Sequence, residues 1–218
     1  MWKKIKNFFF ELLFPKFCFI CKKEGNYLCE DCQSILEISN FHHKYSSQDL
    51  DDLYFALDYQ KPIVKKIIHN FKYEPLVKEL ANPLASLIIN HFQLIDNEIN
   101  FSEFYLVPVP LTKKRLRWRG FNQAEEIAKK LSDFWKIPLI SSCLIKEEET
   151  LPQVELTEEE RKENIRGVFK IKNKGLIENK KIFLIDDVYT TGSTMKECAK
   201  LLKMAGVKKV LGITMTRG

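Results

Sequence analysis

Asp186 and Asp187 stand just ahead of Thr190, Thr191, Gly192, Ser193 and Thr194, and this short stretch carries the densest chemistry in the chain. Four hydroxyls around a glycine suit an oxyanion. Hydroxyls supply donors, and glycine lets the backbone come close. A loop that enters a helix also presents unpaired backbone N–H groups at the positive end of the helix dipole. The two acids have another use. Carboxylates repel phosphate but accept bonds from vicinal sugar hydroxyls, or help hold a magnesium ion. The pattern therefore fits a ligand with a phosphate at one end and a ribose at the other. The plain alternative is an Asp turn and a Ser/Thr helix cap, but a cap needs one such residue. Neither G-x-x-x-x-G-K-[ST] nor G-x-G-x-x-G occurs, so the common nucleotide-phosphate loops are excluded.

A second stretch is cationic. Five of the seven residues from Lys113 to Arg119 are basic, and Gly120 follows. Placed after the strand end V-P-V-P-L, the run is expected to form a loop aimed at phosphate, with Lys113, Arg115 and Arg119 as contacts. A solvated basic patch is the bland alternative, but Trp118 and Phe121 do not suit one. A third stretch, from Leu151 to Phe169, is polar and holds Pro152. Thr157 with Glu160 forms a capping box there, so a short helix is expected. Arg161 and Arg166 are placed to reach a ligand from it, or to lie on a charged surface helix.

A fourth cluster is Cys18-x2-Cys21 and Cys29-x2-Cys32. Two C-x-x-C pairs this close suit a tetrahedral, structural zinc site, because four thiolates leave no open position for chemistry. Disulfides would require an oxidising compartment, for which no export signal argues. Cys143 and Cys198 are expected in the core, and the four histidines carry no partner signature. His42 and His43 are read as surface residues.

The elements that must position these groups follow from periodicity. Leu53–Tyr59, Phe104–Val109, a segment within 136–145, Ile182–Ile185 and Val207–Thr214 read as strands, with the acids ending the fourth. Helices are expected from Pro62, over Leu76–Ile95 with a bend or restart at Pro83, after Gly120, and after Thr194. Alternating strands and helices argue for an α/β fold: a parallel sheet with helices on both faces. Its ligands should sit outside the carboxyl ends of the strands. The N-terminal module is placed at residues 1–45 and the main domain at 50–218. The 218 residues carry a net charge of +6, which makes acidic partners plausible. No stretch is apolar and long enough to span a membrane. The first residues resemble a signal peptide but hold Glu11 and lack a cleavage site. An amphipathic helix is expected there, docked on the domain or lying on a membrane surface.

Phe183 to Met195, F-L-I-D-D-V-Y-T-T-G-S-T-M, resembles the phosphoribosyl-pyrophosphate (PRPP) motif of type I phosphoribosyltransferases. The order of the blocks narrows this further. A four-cysteine module, V-P-V-P-L-x3-R-x4-G-F-N-Q-A, L-P-Q-x2-L-x4-R-x2-N-x2-G-x-F and the PRPP motif are together similar to the ComF (competence protein F), or GntX-like, family. The resemblance covers nearly the whole chain. It implies a type I phosphoribosyltransferase-like domain, with Asp186 and Asp187 on the ribose hydroxyls and Thr190–Thr194 on the 5′-phosphate. Residues 113–123 would be the pyrophosphate-side loop and 151–169 the loop that closes over the site. Zn²⁺ would be structural and Mg²⁺ would accompany PRPP. It also implies a cytoplasmic role in natural transformation, handling incoming single-stranded DNA, with a peripheral contact at the inner membrane as an option for the N-terminal helix. No segment plainly reads a nucleobase, so an acceptor is not indicated. The alternatives are a non-catalytic fold that binds single-stranded DNA, with Trp118 and Phe121 as stacking platforms, or an assembly module that docks a helicase-like competence partner.

Overall fold

The computed structural model describes residues 15–42, 44–95, 98–148 and 167–218. The expected N-terminal helix, His43, the Thr157–Glu160 capping box, Arg161 and Arg166 lie outside the described residues.

The central sheet has four strands: β1 (Asp52–Asp58), β2 (Phe104–Pro108), β5 (Lys181–Tyr189) and β6 (Lys209–Arg217). Their order is β1-β6-β5-β2, and every pairing is parallel. An isolated parallel bridge from Leu106 to Leu139 extends the sheet beyond β2. Strand β5 sits in the interior, and its side chains alternate between two apolar layers, as pleating requires. Phe183 and Ile185 join one cluster with Leu211 and Ile213. Ile182 and Leu184 join the other with Val107 and Val210. Helices α2 (Pro62–Lys72), α3 (Ala81–Leu94) and α5 (Gln123–Trp135) supply the first layer. Helix α6 (Ser193–Met204) covers the second face, beside a small antiparallel pair, β3 (Leu144–Lys146) and β4 (Phe169–Ile171). The expected α/β sheet with helices on both faces is present.

Several local expectations change. Near Pro83 the expected restart forms and not the bend: a 3-10 turn over Lys78–Leu80 precedes α3, which begins at Ala81, so the missing N–H of Pro83 falls in the first turn, where no partner is needed. Strand β5 does not stop at the acids. It runs on to Tyr189, because Asp186 pairs with Thr214 and Tyr189 with Arg217 on β6. Residues 113–119 are not a loop but helix α4 (Lys113–Arg119), in which Thr112 caps the N-terminus by accepting from the Arg115 amide at 3.2 Å. Gly120, at φ 78°, closes the other end.

The four-cysteine region folds around α1 (Glu30–Ser34). Cys18, Cys29 and Cys32 are buried in the same apolar cluster as α2 and α3. The connector is tied down through polar contacts. Asp52, on β1, accepts from the Tyr45 amide at 2.9 Å and lies 3.1 Å from His42 Nε2. His42 is therefore not a surface residue; it stacks on Tyr54 at 4.1 Å between ring centroids. His91 Nδ1 lies 2.6 Å from the Ser39 carbonyl. Cys143 and Cys198 are core residues, as expected. Among the described residues, no helix is long and apolar enough to cross a membrane.

Candidate functional site

Asp186 and Asp187 lie near the carboxyl end of β5, beyond the point where β2 finishes opposite Ile185. Asp187 points into a charged contact: Lys72 Nζ, from the last residue of α2, stands 2.7 Å from its Oδ1. The Asp187 side chain is 9% exposed and that of Lys72 24%. Burial opposes the charge on Lys72, but the carboxylates of Asp187 and then Asp186 outweigh it and raise its pKa. Asp186 is pushed up to about 7, chiefly by burial and then by the negative charge of Asp187; Lys72 and Lys146 pull the other way. The site floor therefore holds one carboxylate locked to an ammonium and a second poised between its charged and neutral forms at neutral pH.

Lys72 was not singled out in the sequence. Its signal is weak, a single lysine at a helix end, and only the sheet brings it to the acids.

The hydroxyl loop leaves β5 at Tyr189 and enters α6 at Ser193. Gly192 is its N-cap, with φ 75°. A Cβ at that position would lie 2.1 Å from the Tyr189 hydroxyl, so both conformation and space require glycine. Thr191 Oγ1 and Ser193 Oγ are 2.9 Å apart, and the Ser193 amide points to Thr191 Oγ1 at 3.5 Å. Lys196, one turn into α6, reaches the Thr191 carbonyl at 3.4 Å. Thr190 is exposed, and Thr191 and Thr194 are half-buried. Hydroxyls, amides and a helix N-terminus thus converge as an anion cradle requires. Beneath it, the Tyr189 hydroxyl donates to that of Tyr45 at 2.7 Å. The connector from the cysteine region therefore touches the underside of this loop.

Helical geometry splits the basic run. Arg119 is buried; its Nη1 donates to Gln123 Oε1 at 2.7 Å, and its guanidinium lies between the rings of Tyr73 (5.8 Å) and Trp118 (5.9 Å). Burial disfavours its charge, the carboxylate of Asp187 favours it, and the like charge of Arg115 disfavours it again. Arg115 and Arg119, four apart, thus belong to the acid side. Lys113 does not join them. With Lys114 and Arg117 it lines a separate cavity of about 580 Å³, bounded by neither the acids nor the hydroxyl loop. Phe121 is no stacking platform: it is buried and packs on Phe71 at 5.7 Å. Tyr73 and Trp118 are the exposed aromatics near Arg119.

The sulfurs of Cys18, Cys21, Cys29 and Cys32 all lie within 4.8 Å of one another. Zn–S bonds of about 2.3 Å in a tetrahedron put sulfurs somewhat under 4 Å apart, and Cys21 and Cys29 are 3.6 Å apart. The cluster fits a structural metal. Burial disfavours the Cys18 thiolate, but bonds from the amides of Cys29, Cys21 and Ile20 bring its pKa down to about 6.

Residues 81–216 match the family described as phosphoribosyl transferase domain. Competence protein F of Haemophilus influenzae is 34% identical over 106 residues, which cover 48% of this chain and 46% of that protein. DNA utilization protein YhgH of Escherichia coli (strain K12) is 29% identical over 162 residues, 70% of this chain and 66% of that one. Competence protein ComFC of Bacillus subtilis is 28% identical over 214 residues, 93% of this chain and 84% of that one. The chain thus spans less than half of the Haemophilus protein and just under two thirds of the E. coli one.

Proposed function

Because the chain belongs to the phosphoribosyl transferase domain family, and within it to the ComF family, we propose that its crevice binds PRPP together with Mg²⁺, in the service of DNA utilization. The observation that carries this reading is the arrangement on one strand: two acids at the end of β5, followed at once by a hydroxyl loop that enters α6. A ribose would lie over Asp186 and Asp187, with its 5′-phosphate against Thr190, Thr191, Gly192, Ser193 and Thr194. Lys72 stands beside Asp187, and it and Arg115 would meet the pyrophosphate end. Arg119 is already engaged with Gln123 and lies beside the rings of Tyr73 and Trp118.

If transfer occurs, it is displacement at the anomeric carbon. The C–O bond to pyrophosphate breaks, and the bond to the acceptor forms with oxocarbenium-like charge on the sugar. The hard carboxylate oxygens fit a magnesium shell, and the ion would neutralise charge developing on the leaving pyrophosphate. The side chains hold the sugar and exclude alternatives to the in-line geometry, so positioning and charge supply the catalysis.

The four thiolates, on this reading, hold one structural Zn²⁺ per chain. Because three of these cysteines lie in the shared core, the metal supports the transferase-like domain as well as its own knuckles.

Single-stranded DNA is the second candidate ligand. Tyr73 and Trp118 are exposed on either side of Arg119, which suits stacking of unpaired bases beside a cation. Binding of that kind should weaken steeply with salt.

A crystal grown with PRPP and Mg²⁺ separates these readings. Density bridging Asp187 and Gly192 supports the first. An empty crevice in crystals from saturating PRPP contradicts it.

A further inference from the structure

The hydroxyl loop rests on a polar floor. The Tyr189 hydroxyl lies so close to Gly192 that a Cβ there would stand 2.1 Å from it. That hydroxyl donates to the Tyr45 hydroxyl at 2.7 Å, and the two rings meet edge to face at 5.8 Å between centroids. Lys196 completes the cluster. Its Nζ reaches the Thr191 carbonyl at 3.4 Å and also bonds the Tyr45 hydroxyl. Burial raises the Tyr45 pKa, but the bonds from Tyr189 and Lys196, with the charges of Lys196 and Arg217, outweigh it and bring the pKa down. Burial and the bond to Tyr45 push that of Tyr189 up. Tyr189 therefore donates and Tyr45 accepts, in a bond of fixed sense.

Tyr45 belongs to neither the sheet nor the loop. It sits on the connector between the cysteine region and β1, which is pinned along its length. The Ser39 amide donates to the Ala56 carbonyl at 2.9 Å. The Tyr45 amide donates to Asp52, which also accepts from the Leu53 amide at 2.9 Å. The Arg217 guanidinium lies 5.4 Å from the Tyr45 ring and 5.6 Å from that of Phe55. Farther back, Leu36 packs in the same cluster as Cys18, Cys29 and Cys32. A run of contacts thus joins the four-cysteine cluster to the underside of Gly192.

Two tyrosines that only filled space would gain nothing from their hydroxyls, since phenylalanine fills the same space without desolvating a polar group. An anion cradle gives the hydroxyls a use. Glycine at positive φ leaves its flanking peptides free to rotate, and an oxyanion is held well only by donors already aimed at it. A hydroxyl fixed beneath Gly192 removes that freedom before the ligand arrives, which lowers the ordering cost of binding.

We propose that Tyr45 is a positioning residue for the 5′-phosphate: it fixes the Tyr189 hydroxyl against Gly192, and so couples the hydroxyl loop to the seating of the cysteine-region connector. This rests on the reading that the loop holds a sugar phosphate. Coupling of this kind is reciprocal. Whatever factor Tyr45 adds to phosphate affinity, bound phosphate adds to the seating of Tyr45.

The test uses ribose 5-phosphate with the full chain and its Y45F variant, which loses only the hydroxyl. Y45F should bind ribose 5-phosphate about tenfold more weakly, in keeping with one hydrogen bond in a charged network. In a Y189F background, Y45F should cost no further affinity, because the two changes remove the same bond. Saturating ribose 5-phosphate should slow amide hydrogen exchange at residue 45 by about the same tenfold in the wild type, and not in Y45F. A tyrosine that merely packs would lower the melting temperature and leave the ligand-dependent exchange unmoved. Equal affinity in wild type and Y45F, additive losses in the double variant, or exchange at residue 45 indifferent to ligand would overturn the proposal and leave the PRPP reading intact. A wild type that binds no ribose 5-phosphate would overturn both.

Discussion

Lys72 Nζ lies 2.7 Å from Asp187 Oδ1, which joins the end of α2 to the carboxyl end of β5 across the floor of the crevice. Both side chains are largely withdrawn from water, so each depends on the other for its charge. The K72M change leaves Asp187 buried and unpaired and should cost about 3 kcal/mol of stability. Adding D187N should recover part of that loss, although neither variant should bind PRPP well. Urea denaturation of the two single variants and the double variant measures the coupling. Strict additivity would show that the contact carries no energy.

Asp186 gives a pH dependence with a definite sign. Its pKa is about 7 in the fold, against an ordinary value near 3.8. Between these values the folded chain keeps a proton that the unfolded chain releases. This group's contribution to stability therefore falls as pH rises from about 4 to about 7 and is level above that. The wild type minus D186N difference in denaturation midpoint, followed over that range, should show this decline. PRPP affinity should rise over pH 6 to 8, because the charged carboxylate is the better acceptor for sugar hydroxyls, and D186N should lack the rise.

Gly192 cannot accept a side chain. Its φ of 75° strains any L-residue, and a Cβ would sit 2.1 Å from the Tyr189 hydroxyl. G192A should lower the melting temperature by several degrees, since 1 kcal/mol is worth about 2–4 °C at this size, and should abolish binding of ribose 5-phosphate. Y189A added to it should restore part of the stability by opening the space. Thermal melts and ribose 5-phosphate titrations check both effects.

The cysteine cluster predicts one zinc per chain in reductively purified protein, by elemental analysis. C32S should lose the metal. Because Cys32 lies in the core cluster shared with α2 and α3, the variant should also melt earlier as a whole and not only locally. A metal-free variant with an unchanged melting curve would show that the cysteines do not support the domain.

Much of this site was legible because its parts are local. The acid pair, the hydroxyl loop and the following helix are consecutive, so type and spacing suffice. The two C-x-x-C pairs are local in the same way. What failed depends on tertiary context. Strand β5 continues through Asp186 to Tyr189 because β6 offers it a partner there, which propensity cannot show. The V-P-V-P turn and dense charge suggested a loop at 113–119, yet Thr112 and Gly120 are ordinary start and stop signals for a helix and could have been weighed as such. Once helical, that run must divide its cations between two faces, which removes Lys113 from the acid side. Lys72 and Tyr73 were missed because nothing around them marks chemistry until α2 is laid on the sheet.

The acids and the hydroxyl loop are expected to hold one sugar phosphate between them. Titration calorimetry of PRPP with Mg²⁺ into the full chain, beside the D186N/D187N double variant, measures this directly. The expected result is one site per chain in the wild type and at least a tenfold loss in the double variant. Absence of heat with a properly folded, metal-replete wild type, or equal affinity in the two proteins, would contradict it.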